Sequence, residues 1–350
     1  MGPGRSCAGL VIGPDELEQA VEVLRSGGLV AFPTETVYGL GADALDARAV
    51  EGVFRTKGRP RGNPLIVHVD GQAMAREMVA GSWGVRASAL AGAFWPGPLT
   101  LVVERGGSVP NVVAAGGATV GVRCPDHPVA LELIERFGGP LVGPSANVSG
   151  GVSPTEARHV AESLSVLVVD GGACRTGIES TVVDVTGSVV RVLRPGVVGV
   201  EAIERVLGEP VVPGADGGGR HGGKVRSPGV LGAHYRPRAT VAVCATADLR
   251  GACAGAERAV ALVRTPEAIA EASGIAGVMG VIEMAHDAAG YAAGLYAALR
   301  RADEIGAGVI VVQRPPMMGA PDEQGGEWSH TDRAIWEAVA DRLGRASAAG

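Results

Sequence analysis

Aromatic residues are scarce: four Phe, four Trp and four Tyr amount to 3% of 350 residues. A row of base-stacking platforms for single-stranded nucleic acid is therefore not expected. The five cysteines (Cys7, Cys124, Cys174, Cys244, Cys253) are scattered, odd in number and form no CxxC. That spacing offers neither a disulfide framework nor a zinc site, and no metal ligand is assigned; it suits a reducing compartment. No apolar run approaches the roughly 20 residues that span a bilayer, and the first residues lack the apolar region of a signal peptide. Met1-Gly2 followed by Ser6 formally matches a myristoylation pattern, but Pro3 intervenes and no second membrane signal accompanies it. A soluble cytoplasmic protein with no membrane partner is the expectation. Net positive charge is also missing: 31 Lys and Arg stand against 37 Asp and Glu, a formal charge of -6, which argues against stable nucleic-acid binding.

What is present is ample core material, 46% hydrophobic against 19% charged residues, in a chain long enough for two domains. Cations are concentrated in two acid-free stretches, Arg55–Arg61 with four and Gly217–Thr240 with five Lys or Arg plus two His. Each reads either as a local anion site or as a solvated loop. Periodicity predicts helices near 15–26, 47–55, 128–137, 155–163 and 200–207, interspersed with strands at 29–32, 65–69, 99–103, 119–122, 166–169, 181–185 and 189–193. The interspersion implies an α/β or α+β unit with a sizeable mixed sheet over residues 1–209. Residues 210–238, rich in Gly, Pro and cations, read as a linker. From 239 to 350, strands at 240–245, 259–263, 278–284 and 309–313 alternate with helices near 266–272, 289–305 and 331–345. This predicts a small Rossmann-like parallel sheet, though without the Gly-x-Gly-x-x-Gly of a dinucleotide site.

Several segments carry chemistry. Pro33–Gly41 (PTETVYGLG) follows a buried strand and brings two hydroxyls, a carboxylate and a phenol to its end; it is either a ligand site or a polar turn. Thr56–Pro64 (TKGRPRGNP) is punctuated by Gly and Pro, so its cations are expected on a stiffened loop rather than a helix. Arg forks and a Lys point charge together suit a polyphosphate, although the Walker A ending is missing. His68 sits in the next strand, as a structural or a functional residue. Ser145 and Asn147 in GPSANVSG could aim at one ligand, cap a helix or close an Asx turn. TGIEST (176–181) and LRPG (193–196) place hydroxyls and a cation at strand ends.

The ordered set FPTETVYGLG, KGRPRGNPLIVHV, WPGPLTLVV, GVRCPDHP, GPSANVSG, TGIESTVVD and LRPG resembles the YrdC/YwlC family over about residues 10–210. SPGVLGAHYRP (Ser227–Pro237) is similar to the linker of its longer, two-domain members. The resemblance implies a YrdC-like mixed twisted sheet, then a linker and the extra domain of those members. It also implies synthesis of threonylcarbamoyl-AMP and pyrophosphate from L-threonine, bicarbonate and ATP, with Mg2+ accompanying ATP. A tRNA threonylcarbamoyl transferase would act downstream. The family's Lys-x-Arg and Ser-x-Asn tetrad falls on Lys57, Arg59, Ser145 and Asn147. Lys57 and Arg59 would be catalytic, and Asn63, Thr119, Ser153, Arg194 and the linker Tyr235 would lie near the nucleotide. Threonine would lie among Thr34, Thr36, His68, Arg123, Gly143 and Ser180, with Arg123 facing its carboxylate. Leu231-Gly232-Ala233 and Arg236 depart from the usual linker pattern. Rival readings are an RNA-binding module, a related carbamoyl-adenylate enzyme and a nucleotide-regulated binding protein.

Overall fold

The computed structural model describes residues 9–214, 220–221, 224–225, 234–316 and 327–348. The linker departure at Leu231–Ala233, Cys7 and the Met1–Ser6 pattern lie outside them. The strands are β1 (Val11–Ile12), β2 (Val30–Phe32), β3 (Gly39–Asp43), β4 (Ile66–His68), β5 (Leu99–Glu104), β6 (Thr119–Arg123), β7 (Leu141–Val142), β8 (Leu167–Val169), β9 (Thr181–Asp184), β10 (Val190–Arg194), β11 (Val211–Pro213), β12 (Arg220–His221), β13 (Lys224–Val225), β14 (Thr240–Cys244), β15 (Ala259–Val263), β16 (Gly280–Glu283) and β17 (Val309–Gln313). The helices are α1 (Leu17–Arg25), α2 (Ala47–Lys57), α3 (Gln72–Glu77), α4 (Val85–Phe94), α5 (Pro128–Phe137), α6 (Ala157–Ala161), α7 (Val200–Leu207), α8 (Leu249–Ala254), α9 (Pro266–Ser273), α10 (Ala288–Ile305) and α11 (His330–Ser347).

One mixed sheet organises the first domain, in the order β1-β8-β2-β3-β7-β4-β6-β5-β9-β10-β11. Its interior strands are covered on both faces: β2, β4 and β9 are buried throughout. β3 is the glycine-rich strand that periodicity does not announce. A Cβ on Gly41 would come within 3.0 Å of Phe32 and of the Val30 carbonyl, so a larger residue would force β2 and β3 apart. β11, which lies inside the stretch read as linker, pairs in parallel with β10 and closes this sheet.

The second domain is an all-parallel sheet in the order β14-β17-β15-β16. Period-2 alternation decides which helices each strand meets. Ala261, Val263 and Val311 enter a core with Leu249 and Cys253 of α8 and Ala268 and Ala272 of α9. Their neighbours Val260, Leu262, Ile310 and Val312 enter another core with α10 and α11. That second core also takes in Val37, Val152 and Ile178 of the first domain and Tyr235 of the linker. The α10–α11 layer therefore packs directly on loops that carry candidate site residues. Gly177 makes the contact close: its φ is +74, and a Cβ there would lie 2.4 Å from Ala293 Cα of α10.

Candidate functional site

The site is assembled at the ends of β4, β6 and β10, the loops that follow β2 and β7 and the loop that leads into β9. β4 and β6 run parallel with His68 beside Arg123 and Ile66 beside Gly121. The loop after β7 crosses them, since Gly143 N–H donates to the Ile66 carbonyl at 3.0 Å. Gly143 is obligatory there because a Cβ would fall 2.6 Å from His68 Nδ1. The turn after β2 is held to the same loop: Leu40 N–H donates to Pro144 O and Ala146 N–H to Tyr38 O. Thr34 organises this turn from within, donating to the Val37 carbonyl at 2.6 Å and accepting from the amides of Thr36 and Val37.

Lys57 is on a helix, contrary to the loop expectation. Asp46 caps α2 by accepting from Arg48 N–H, and Gly58, with φ +60, ends it one residue after Lys57. That termination points Lys57 inward from the last turn and releases Arg59 into the loop. Lys57 Nζ donates to the carbonyls of Ser145 and Asn147. Arg59 donates to the carbonyls of Asn63 (3.0 Å) and Pro64 (2.7 Å). Arg194, at the end of β10, donates to the carbonyl (3.1 Å) and hydroxyl (3.1 Å) of Ser180, whose hydroxyl also meets that of Thr100 at 2.8 Å. All three cations are buried. Burial pulls the Lys57 ammonium well below its ordinary pKa, aided by Arg59, and pulls Arg59 down to about 9. Three buried cations held largely by carbonyl dipoles form a site pre-charged for an anion, since each lost solvation that an anionic ligand would restore.

A cavity of ≈ 50 Å³ opens among these groups, bounded by Thr36, Arg59, His68, Arg123, Gly143, Ser145, Glu179, Ser180, Arg194 and Tyr235, with Val37, Ile66, Pro144 and His234. At one end Arg123 pairs with Glu35 at 2.6 Å, both buried. His68 is driven down to about 3 by burial and by Arg123, and is neutral at pH 7. Cys124 and Cys174, raised to about 12 chiefly by burial, are not thiolates there.

The linker closes the other end. Tyr235 (φ +64) stacks on Tyr296 at 5.6 Å, and Arg236 N–H donates to Gly150 O at 2.9 Å. His234 lies in the field of Arg59, Lys57 and Arg194.

The remaining candidates stand around this cavity rather than on its wall. Lys57 lies behind Ser145. Asn147 turns its amide back on its own loop, donating to Val148 O (2.7 Å) and Gly151 O (2.9 Å), with Oδ1 buried and unpartnered. Asn63 Oδ1 is likewise buried without a partner. Ser153 donates to Glu179 at 2.7 Å. Thr119 stands two residues before the Ile66–Gly121 register point, as Pro64 does on β4, so it flanks the segment that anchors Arg59. Glu35 and Glu179 fall within the sequence motifs, but no role for either can be read from the sequence. Their partners Arg123 and Arg342 lie too far along the chain for any local pattern to pair them. Among the described residues, no group of three or more His, Cys, Asp or Glu is placed to hold a metal ion, and no helix is long and apolar enough to cross a membrane.

The buried histidines give a pH prediction. His68 titrates at about 3, and His159 and His234 at about 4, because burial opposes their charge. The unfolded chain takes up these protons near pH 6.5. Stability present above pH 6.5 is therefore lost as pH falls toward 4, by roughly 2 kcal/mol per histidine at pH 5. Urea midpoints at pH 7 and 5 check this, and an unchanged midpoint would show that these imidazoles are not held neutral.

Comparison with known proteins agrees with this architecture. A family model covering Sua5, YciO and YrdC, described as "Telomere recombination", matches residues 22–196. A second, described as "Threonylcarbamoyl-AMP synthase, C-terminal domain", matches residues 198–348. The threonylcarbamoyl-AMP synthase of Pyrococcus abyssi is 47% identical over 227 residues, 64% of this chain and 66% of that one. The Bacillus subtilis protein of the same name is 43% identical over 233 residues, 65% of this chain and 66% of that one. A crystal structure of P. abyssi Sua5 complexed with L-threonine superposes with a TM-score of 0.82 at 36% identity, covering 97% of both chains. With both family models and the full-length structural match in agreement, the chain belongs to the Sua5/YrdC–YciO family and is of its two-domain, threonylcarbamoyl-AMP synthase type.

Proposed function

We propose that the chain forms threonylcarbamoyl-AMP and pyrophosphate from L-threonine, bicarbonate-derived CO2 and ATP. The observation that carries this reading is the pairing of two unlike ends around one cavity. Buried Arg59 and Arg194 lie at one, with Lys57 behind Ser145, and Arg123 beside neutral His68 lies at the other. The first suits a triphosphate and the second an α-carboxylate. The P. abyssi relative solved with L-threonine supports threonine as a ligand.

In the proposed reaction the threonine nitrogen bonds to the carbon of CO2 and loses a proton, giving N-carboxythreonine. A carbamate oxygen then bonds to the α-phosphorus of ATP as the bond to the pyrophosphate oxygen breaks. No covalent enzyme intermediate is required. Arg123 would fix the threonine carboxylate, and Thr34, Thr36, His68, Gly143 and Ser180 would shape its pocket. Lys57 and Arg59 would meet the charge that develops on the phosphates, while Arg194, Asn63, Thr119, Ser145, Asn147, Ser153 and Tyr235 would hold the nucleotide. The charged side chains at the phosphate end are cations and the paired Glu179, a set that fits phosphate oxygens. Mg2+ would therefore enter with ATP as part of the MgATP substrate, held by ATP and water. The product, a mixed anhydride of a carbamate and AMP, would pass to a transferase that modifies adenosine 37 of ANN-decoding tRNA. Pyrophosphate release with each substrate omitted in turn tests the proposal.

A further inference from the structure

Glu179 presents a problem for a nucleotide site: this buried acidic residue lines the cavity with Arg59 and Arg194, where a triphosphate would meet its negative charge. Ser153 of the first domain donates to Oε1 at 2.7 Å, and the side chains that meet the other oxygen come from the second domain. Arg342 of α11, completely buried, reaches Glu179 Oε2 at 3.1 Å, and Tyr296 of α10 donates to the same oxygen at 2.9 Å. Arg342 also donates to the Glu179 carbonyl (3.3 Å) and to the Pro195 carbonyl (2.7 Å), and it shares the Asp341 carboxylate (3.0 Å) with Arg345. Those two carbonyls belong to the residues adjoining Ser180 and Arg194. One guanidinium thus ties together the two strand ends that frame the phosphate side of the cavity. Its charge is centred 5.7 Å from the Tyr235 ring of the linker.

We propose that Arg342 is a positioning residue through which the second domain completes the nucleotide half of the site. It cancels the Glu179 charge and fixes the Ser180 and Arg194 strand ends toward the cavity. This rests on the nucleotide reading above and explains why α10 and α11 pack on the site loops rather than elsewhere on the sheet. The carboxylate end of the threonine half, built on β4, β6 and the Arg123–Glu35 pair, makes none of these contacts; of the threonine pocket only Ser180 adjoins them.

The test uses the full-length protein and calorimetric binding of MgATP and of L-threonine, measured separately. Arg342→Met leaves the buried Glu179 carboxylate, still hydrogen-bonded by the Ser153 and Tyr296 hydroxyls, without its guanidinium counter-ion beside the ligand's phosphates, and MgATP affinity is expected to fall about tenfold or more. Threonine affinity should stay within about threefold, a split that general loosening of the fold would not produce. Arg342→Lys keeps the charge but not the fork, and should weaken MgATP binding to an intermediate degree. Combining Glu179→Gln with Arg342→Met removes both charges and should recover most of the loss. If Arg342→Met alone fails to fold, the MgATP affinity of this double variant decides between the outcomes. The inference is overturned if folded Arg342→Met binds MgATP like the wild type, if both ligands weaken together, or if the double variant recovers nothing. Failure of the wild type to bind MgATP at all would instead remove the nucleotide reading, and this inference with it.

Discussion

Lys57→Ala and Arg59→Ala should each lower kcat by about 10²–10³ while leaving the melting temperature near that of the wild type. In the free protein Lys57 Nζ and the Arg59 guanidinium donate to backbone carbonyls, and burial depresses the pKa of both. Removing such a cation leaves carbonyl oxygens short of a donor but also removes a desolvated charge, so the net stability change is small. Catalysis has no such compensation, because the charge spreading over the phosphates meets one fewer fixed cation. Lys57 carries a further sign. Its pKa is already low in the free protein, so raising the pH discharges it earlier than an ordinary lysine, and MgATP affinity should fall with it. Turnover at wild-type rates in either variant would remove these residues from the chemistry.

Substitution of Arg123 should have an equally large effect, separated by substrate. Arg123 is the counter-ion of Glu35, and both are buried at a 2.6 Å contact. Arg123→Ala strands that carboxylate, a change that typically costs about 3–5 kcal/mol of stability, so its kinetics would mix folding with binding. Arg123→Lys keeps the charge and loses the planar fork. It should raise KM for threonine by about 10- to 100-fold while leaving KM for ATP near the wild-type value. Equal loss for both substrates, in a variant that melts normally, would contradict the division of the cavity into a carboxylate end and a phosphate end.

The sequence is most legible where local chemistry decides the structure. α2 starts at Asp46 and stops at Gly58; α9 and α10 carry Thr265 and Asp287 as side-chain caps. Strands β15 and β17 of the second domain fall at the residues their apolar runs announce, because parallel strands covered on both faces need such runs. Lys57 is the counterexample: Gly58 and Pro60 suggest an early break and a loop, yet a left-handed glycine ends a helix only after the residue before it has joined the last turn. β3 is hidden because its glycines lower strand propensity, and tertiary need overrides this, the room being taken by the Phe32 ring. The cationic half of the site is visible as a basic cluster. Its acidic counterparts are not. Glu179 meets Arg342 across 163 residues, and only the docking of the two domains reveals that pair.

Whether the two ends of this cavity hold threonine and ATP for one reaction is tested most directly by pyrophosphate release. The purified full-length chain is given ATP and Mg2+, with threonine and bicarbonate omitted one at a time. Release that requires both is the predicted result. Release that continues undiminished without threonine would contradict the assignment of the Arg123 end, and no release with all substrates present would contradict the synthase reading itself.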